Sequence, residues 1–380
     1  MKQNKNILKN PGVQSLLTSL LCILLGLFIG YLVLLLINPT GAWGAITNVM
    51  KNFLTYSSAK AQLKYLGNTL VRTAPLLMCS LSVLFVYKVG LFNIGAAGQY
   101  VAGACACLYA ALYLHWHWLP CMLLAIAAGA LLGVISGLLK SSFNVSEVIS
   151  GIMLNWIALY TTNMLLTNVK EATSPYTYQL KAEGPQAILP QISLSKLLSG
   201  NQYVTIAIPI AIVCAVVIWV VLSKTRFGYE LKATGNNPNA AKYCGMAEKR
   251  NIILTLAIGG ALAGLGASLL YQTGYEQWQC TYSSVPSMGF NGIAAAFLGG
   301  LSPIGSIFAS FFIQHITAGG AYVDKSLYCS QISDLISAII IYLCSFVLFF
   351  KTVLSSWIAR HEEKKARKAA QAAGKGGEQA

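Results

Sequence analysis

The sequence predicts an all-α polytopic membrane protein of about ten transmembrane helices, and three observations carry that reading. Hydrophobic residues make up 56% of the 380 and charged residues only 10%, against roughly 25% charged in soluble domains. Mean hydropathy is +0.62. Apolar runs recur at the length a bilayer demands, roughly 20 residues per span. The basic residues gather on alternate connections, as membrane topology requires.

The first run, 13–37, follows Lys2, Lys5 and Lys9, lacks a small-x-small cleavage site and exceeds a signal-peptide core. That pattern predicts a retained signal anchor. Further runs, read as free of charge, cover 66–87, 96–114, 119–139, 148–166, 203–222, 252–271, 304–320 and 332–350; a tenth, 288–301, is short and interrupted by glycine. Residues 1–12 then form a cytoplasmic N-terminus, 13–350 the transmembrane domain with a long cytoplasmic loop at 223–251, and 351–380 a basic cytoplasmic tail.

Eighteen of the 26 Lys and Arg fall inside: three before the first span, Lys88, Lys140, six from Lys224 to Arg250, and seven from Lys351 onward. Eight remain outside. Both termini come out cytoplasmic. The net charge of +15 is explained by topology and anionic lipid, with no call for nucleic acid. The tail "ARHEEKKARKAAQAAGKGGEQA" reads as a solvated helix with a frayed end.

Most of the ten cysteines lie in apolar runs, where a thiol behaves as a small hydrophobe. Cys280 and Cys329 both fall on predicted external loops, so paired and free states stay open. No spacing of His or Cys suggests a metal. No nucleophile with its base, and no paired acid and base, suggests catalysis. His115 and His117 alternate with Trp116 and Trp118 at a predicted outer membrane edge, where such rings anchor. The G-x-x-x-x-G-K-[ST] loop that cradles nucleotide phosphates is absent, so uphill work would draw on an ion gradient or another protein.

His315 is read as the sole ionisable group well inside a span, a weak basis for ion coupling. The deep polar residues are neutral: Asn93, Gln99, Asn155, Asn163, Asn291 and Gln314. Such a lining suits an uncharged, hydroxyl- or amide-bearing solute. In the loop 223–251, Asn237 fits a cap, Pro238 the first helical position, and Gly245 a left-handed stop. Between them, Asn239 to Cys244, with Ala240 and Ala241, continue a helix of roughly two turns, about 10 Å long. It reads either as a loop helix on the protein's own membrane face or as a knob for a separate cytoplasmic motor.

Four stretches carry a family resemblance: "VGLFNIGAAGQYVAGA" from Val89, "NVSEVISGIMLNWIALY" from Asn144, "TRFGYELKATGNNPNAAKYCGM" from Thr225, and "GFNGIAAAFLGG" from Gly289 with "SPIGSIFAS" after it. Together they resemble the larger membrane subunit of bacterial nucleoside ABC importers, within the broader ribose and branched-chain amino-acid permease group. The resemblance implies a permease half in the cell membrane. It would pair with a second homologous permease, be driven by a cytoplasmic ATPase that uses ATP and Mg, and be fed by an extracytoplasmic solute-binding lipoprotein. It also implies that Gly235 to Gly245 contacts the ATPase, and that the stretch holding Ser141, Ser142, Asn144 and Glu147 is the cytoplasmic gate region. One departure stands out, since similar proteins carry an acidic residue where this chain has Ala97.

Ten spans divide five and five, which would invert one half against the other. "FNIGAA" from Phe92 and "FNGIAA" from Phe290 fall at matching joints of the two halves. Gly90, Gly95, Gly98 and Gly292 are read as helix breaks beside a solute path; close helix packing is the alternative. Asn93, Gln99, Asn155 and Asn291 would line that path or brace the breaks. The expected function is a permease giving a nucleoside-like solute alternating access, with no cofactor bound by this chain. Permeases for a simple sugar or a branched-chain amino acid, a self-sufficient carrier and a membrane enzyme are the rivals.

Overall fold

The computed structural model describes residues 11–324 and an interrupted set between 326 and 360. Fourteen α-helices and several 3-10 turns lie between Pro11 and Tyr322, further helical residues occur between 335 and 360, and no strand occurs among the described residues beyond isolated bridges. Among the described residues, seven helices are long and apolar enough to cross a membrane. They are α1 (Pro11–Ile37), α3 (Ala59–Tyr87), α5 (Trp118–Phe143), α6 (Glu147–Leu166), α9 (Ala207–Lys224), α12 (Glu248–Tyr271) and α14 (Pro303–Gly319). Two more are apolar but shorter: α4 (Ala96–Leu112) and α13 (Met288–Leu298). At 1.5 Å per residue they reach about 25 Å and 17 Å, short of the ~30 Å hydrocarbon layer. Most of the expected span at 332–350, Cys329, most of the N-terminal arm and nearly all of the tail lie outside the described residues.

Burial sorts the helices into a centre and a rim. Of the apolar window in α3, 89% is inside the protein, and of that in α12, 61%; α1, α5 and α9 bury only 28% and turn the remainder outward. Lipid is as apolar as leucine, so helices here are drawn together by close packing rather than by exclusion of water. Glycine provides that closeness. Gly129, Gly133 and Gly137 run down one face of α5 at i, i+4 spacing and meet Gly260, Gly264 and the Leu256 carbonyl of α12, leaving no room for a Cβ. Across the same seam, a Cβ on Gly103 of α4 would come within 2.5 Å of the Gly264 Cα.

Several segments read as connections are in fact structured. The amphipathic α2 (Ala42–Lys51) packs on α14, with Gly319 against the Val49 carbonyl and Trp43 left exposed. Residues 167–206 hold two one-turn helices, α7 (Leu180–Glu183) and α8 (Leu194–Leu197), and form bridges such as Tyr176 with Gln279. This layer is pinned to α6, because Trp278 Nε1 donates to Asn163 Oδ1 at 3.0 Å and Asn163 Nδ2 to the Tyr282 carbonyl at 2.9 Å. The loop at 223–251 contains α10 (Arg226–Asn236) as well as α11 (Pro238–Tyr243). Cys280 is a buried free thiol.

Candidate functional site

Residues 88–95 interrupt the chain between α3 and α4, and the interruption is held by side chains from other helices. Gly90 takes φ +75, the left-handed region open to glycine. Gly95 caps α4 without a side chain, so the first-turn N–H groups need another acceptor. Asn155 on α6 supplies it: its Oδ1 accepts from Gly98 N at 2.7 Å, and its Nδ2 donates to the Ile94 carbonyl at 3.1 Å. A second amide sits beside it. Asn93 Nδ2 donates to Ser82 Oγ at 3.0 Å and to Gln99 Oε1 at 2.9 Å.

Asn93, Gln99 and Asn155 are 2%, 1% and 2% exposed. These three therefore brace the break. The glycines divide in the same way. Gly90 and Gly95 lie in the interruption, whereas Gly98 is inside α4 and Gly292 inside α13, so neither of those two breaks a helix. Their missing side chains serve close approach: a Cβ on Gly98 would lie 2.7 Å from the Asn155 Cα, and one on Gly292 2.6 Å from the Cys79 Cβ. The stretches "FNIGAA" and "FNGIAA" accordingly differ in conformation, irregular from Phe92 and helical from Phe290.

Helix α10, in the loop 223–251, touches this interruption directly. Asn237 Oδ1 accepts from Ala240 N at 3.0 Å, Pro238 opens α11, Ala241 is buried, and Gly245 closes the turn at φ +78. Gly235, one residue before the end of α10, lies against the α3–α4 joint. A Cβ there would fall 2.6 Å from the Lys88 carbonyl oxygen. Burial, helped by Lys232, holds the Lys88 ammonium below its usual pKa range. Asn251 at the start of α12 donates to Thr234 Oγ1 at 3.1 Å and ties α10 from its other side. At the α5–α6 joint, Ser141 and Ser142 complete the last turn of α5, and Asn144 ends it at φ +52. Lys140 pairs with Glu147 across that joint at 3.0 Å.

A cavity of about 380 Å³ opens where α3, α4, α12, α13 and α14 meet the segment 272–287. Tyr100, Tyr271, Tyr282, Asn291 and Gln314 line it, so Asn291 is the one expected path residue found there. Arg72 and Glu276 line it as well, and they form an ion pair. Arg72 corrects two expectations: the run 66–87 is not free of charge, and His315 is not the sole ionisable group within a span. His315 has a bracing role, with ring nitrogens 3.2 Å from Asn52 Nδ2 and 2.9 Å from the Met50 carbonyl. Arg72 was missed because one charge among 22 residues hardly lowers the hydropathy of a run. Beside the cavity, a Cβ on Gly289 would lie 2.4 Å from the Ala97 Cα, so Gly289 has no space for a side chain.

A helical membrane body with short, braced inner helices around a polar cavity defines a multi-pass transport protein. Residues 65–345 match the family described as branched-chain amino acid transport system / permease component, and the chain belongs to that family. It is thus a transport component of the membrane and not an enzyme. It is 31% identical to the nucleoside ABC transporter permease protein NupB of Lactococcus lactis, over 98% of this chain and 100% of that one. It is 33% identical to the guanosine ABC transporter permease protein NupP of Bacillus subtilis, over 86% and 92%. The glucose ABC transporter permease protein TsgB13 of Haloferax volcanii is 28% identical, over 88% of each chain. No solved structure matches.

Proposed function

We propose that this chain is one permease half of an ATP-driven importer and passes a nucleoside across the plasma membrane by alternating access. The observation that carries the reading is the likeness to nucleoside and guanosine permeases along most of the chain. The cavity is compatible with it, since about 380 Å³ falls within the range for small-molecule sites. The half-buried Tyr282 offers a ring to a base, and Asn291 offers hydrogen bonds to a sugar.

In this reading the chain has ten spans in two inverted halves, with both termini cytoplasmic. The partners are a second homologous permease, a cytoplasmic ATPase that uses ATP and Mg, and an extracytoplasmic solute-binding lipoprotein. The stretch from Gly235 through Asn237, Pro238, Ala240 and Ala241 to Gly245 receives the ATPase. The gate is the joint holding Ser141, Ser142, Asn144 and Glu147. The amides Asn93, Gln99 and Asn155 hold the α3–α4 break in shape while Asn291 meets the solute. A sugar permease is the second reading, favoured by the likeness to a glucose permease.

The test is co-expression with candidate partners and side-by-side, ATP-dependent uptake of nucleosides, ribose, glucose and branched-chain amino acids. Nucleoside uptake that stops without ATP is the expected result. Uptake of nucleosides by the purified chain alone would replace the importer with a self-sufficient carrier.

A further inference from the structure

The Arg72–Glu276 pair joins the most enclosed helix, α3, to the segment 272–287, and both side chains line the cavity. They are 36% and 29% exposed, so neither is sealed in protein. The Arg72 guanidinium carbon also lies 5.4 Å from the centre of the Tyr275 ring. An ion pair in such surroundings is a poor stabiliser, because apolar contacts of the same volume hold a fold as well or better. Ionisable groups on membrane-embedded helices mark the path of what is carried.

We propose that Glu276 and Arg72 determine specificity by reading the edge of a nucleobase, and that they favour a 6-oxo-2-aminopurine nucleoside; this rests on the nucleoside reading above. A carboxylate presents two parallel acceptors, which match the adjacent N1–H and N2–H donors of such a base. A guanidinium presents a donor fork, which matches O6 and N7 on the neighbouring edge. The pair therefore offers the complement of the whole edge. Adenosine turns an acceptor, N1, toward the carboxylate and a donor toward the guanidinium, and both contacts become repulsive. Tyr282, half-buried at the cavity wall, supplies flat apolar surface for the ring. A zwitterionic amino acid also satisfies an acid and a base, but it does not need the aromatic face of Tyr282.

The assembled transporter, with its binding protein and ATPase, is reconstituted in liposomes, and ATP-dependent uptake of guanosine, inosine, adenosine and leucine is measured. The wild type ranks guanosine above inosine, which lacks the 2-amino group, and inosine above adenosine. Glu276→Gln with the same binding protein lowers the guanosine-to-adenosine ratio about tenfold or more, mainly through KM. Glu276→Asp keeps the carboxylate and retains most of the preference. An unchanged ratio in Glu276→Gln overturns the proposal. If that variant does not assemble, a flat ranking in the wild type overturns it equally. Import of leucine ahead of every nucleoside sinks the nucleoside reading itself, a distinct result from nucleoside import without preference.

Discussion

Asn155 caps a helix to which it does not belong. Reaching from α6, it accepts from Gly98 N, which Gly95 has no side chain to cap, and it donates to the Ile94 carbonyl, so it pairs two backbone groups. Leaving them unmade costs about 1–3 kcal/mol each. Asn155→Ala should therefore lower the unfolding free energy by about 2 kcal/mol or more in detergent, read from thermal or denaturant unfolding. A variant as stable as the wild type would remove the bracing role. At this scale the sequence is half legible. Asn93, Gln99 and Asn155 stand out as amides in an apolar chain, but the atoms they bond are fixed only by tertiary packing. Arg72 and Glu276 are harder still: 204 residues separate them, and neither carries a local motif.

Among the elements, α10 and α11 form a lever with one end against the α3–α4 joint. Gly235 is the contact point and Gly245 the closing turn, so substitutions at the two act differently. Gly235→Val would push its side chain into the Lys88 carbonyl and Val89, separating α10 from the interruption. In the assembled transporter it should leave ATP hydrolysis running while uptake drops about tenfold, as expected when a coupling contact is lost. Uptake at the wild-type level would remove Gly235 from the coupling route. Gly245→Ala meets open space and strains only the φ of +78, at a cost of about 1–2 kcal/mol. It should be the milder variant. The local turn around α11 was readable because cap, proline and closing glycine act within a few residues. The breaking role given to Gly98 and Gly292 failed for the opposite reason. A glycine that opens a helix and one that admits a neighbour look the same until the neighbour is known.

For the whole molecule, the all-α membrane class and most helix positions follow from hydrophobicity alone, because each span must satisfy its own backbone. What hydrophobicity hides is rank. The central α3 and the peripheral α9 both score as spans, with mean hydropathies of 1.8 and 2.4, yet they bury 89% and 28% of their windows. Orientation is open to a direct test. Cys244 is the one exposed thiol among the described cysteines. With Cys329 and Cys344 replaced by serine, a membrane-impermeant maleimide should label inside-out vesicles but not right-side-out ones, and adding Cys244→Ser should abolish the signal. Labelling from the outer face would reverse the topology.

The distance between Arg72 and Glu276 along the chain also has a consequence for biogenesis. A ribosome making this protein delivers α3, arginine included, long before the glutamate that neutralises it exists. At a bilayer centre an unpaired arginine costs about 2.5–3.5 kcal/mol on insertion scales. The nascent helix would settle at full depth only after residue 276 emerges, so the seating of the most enclosed helix waits for the second half of the chain.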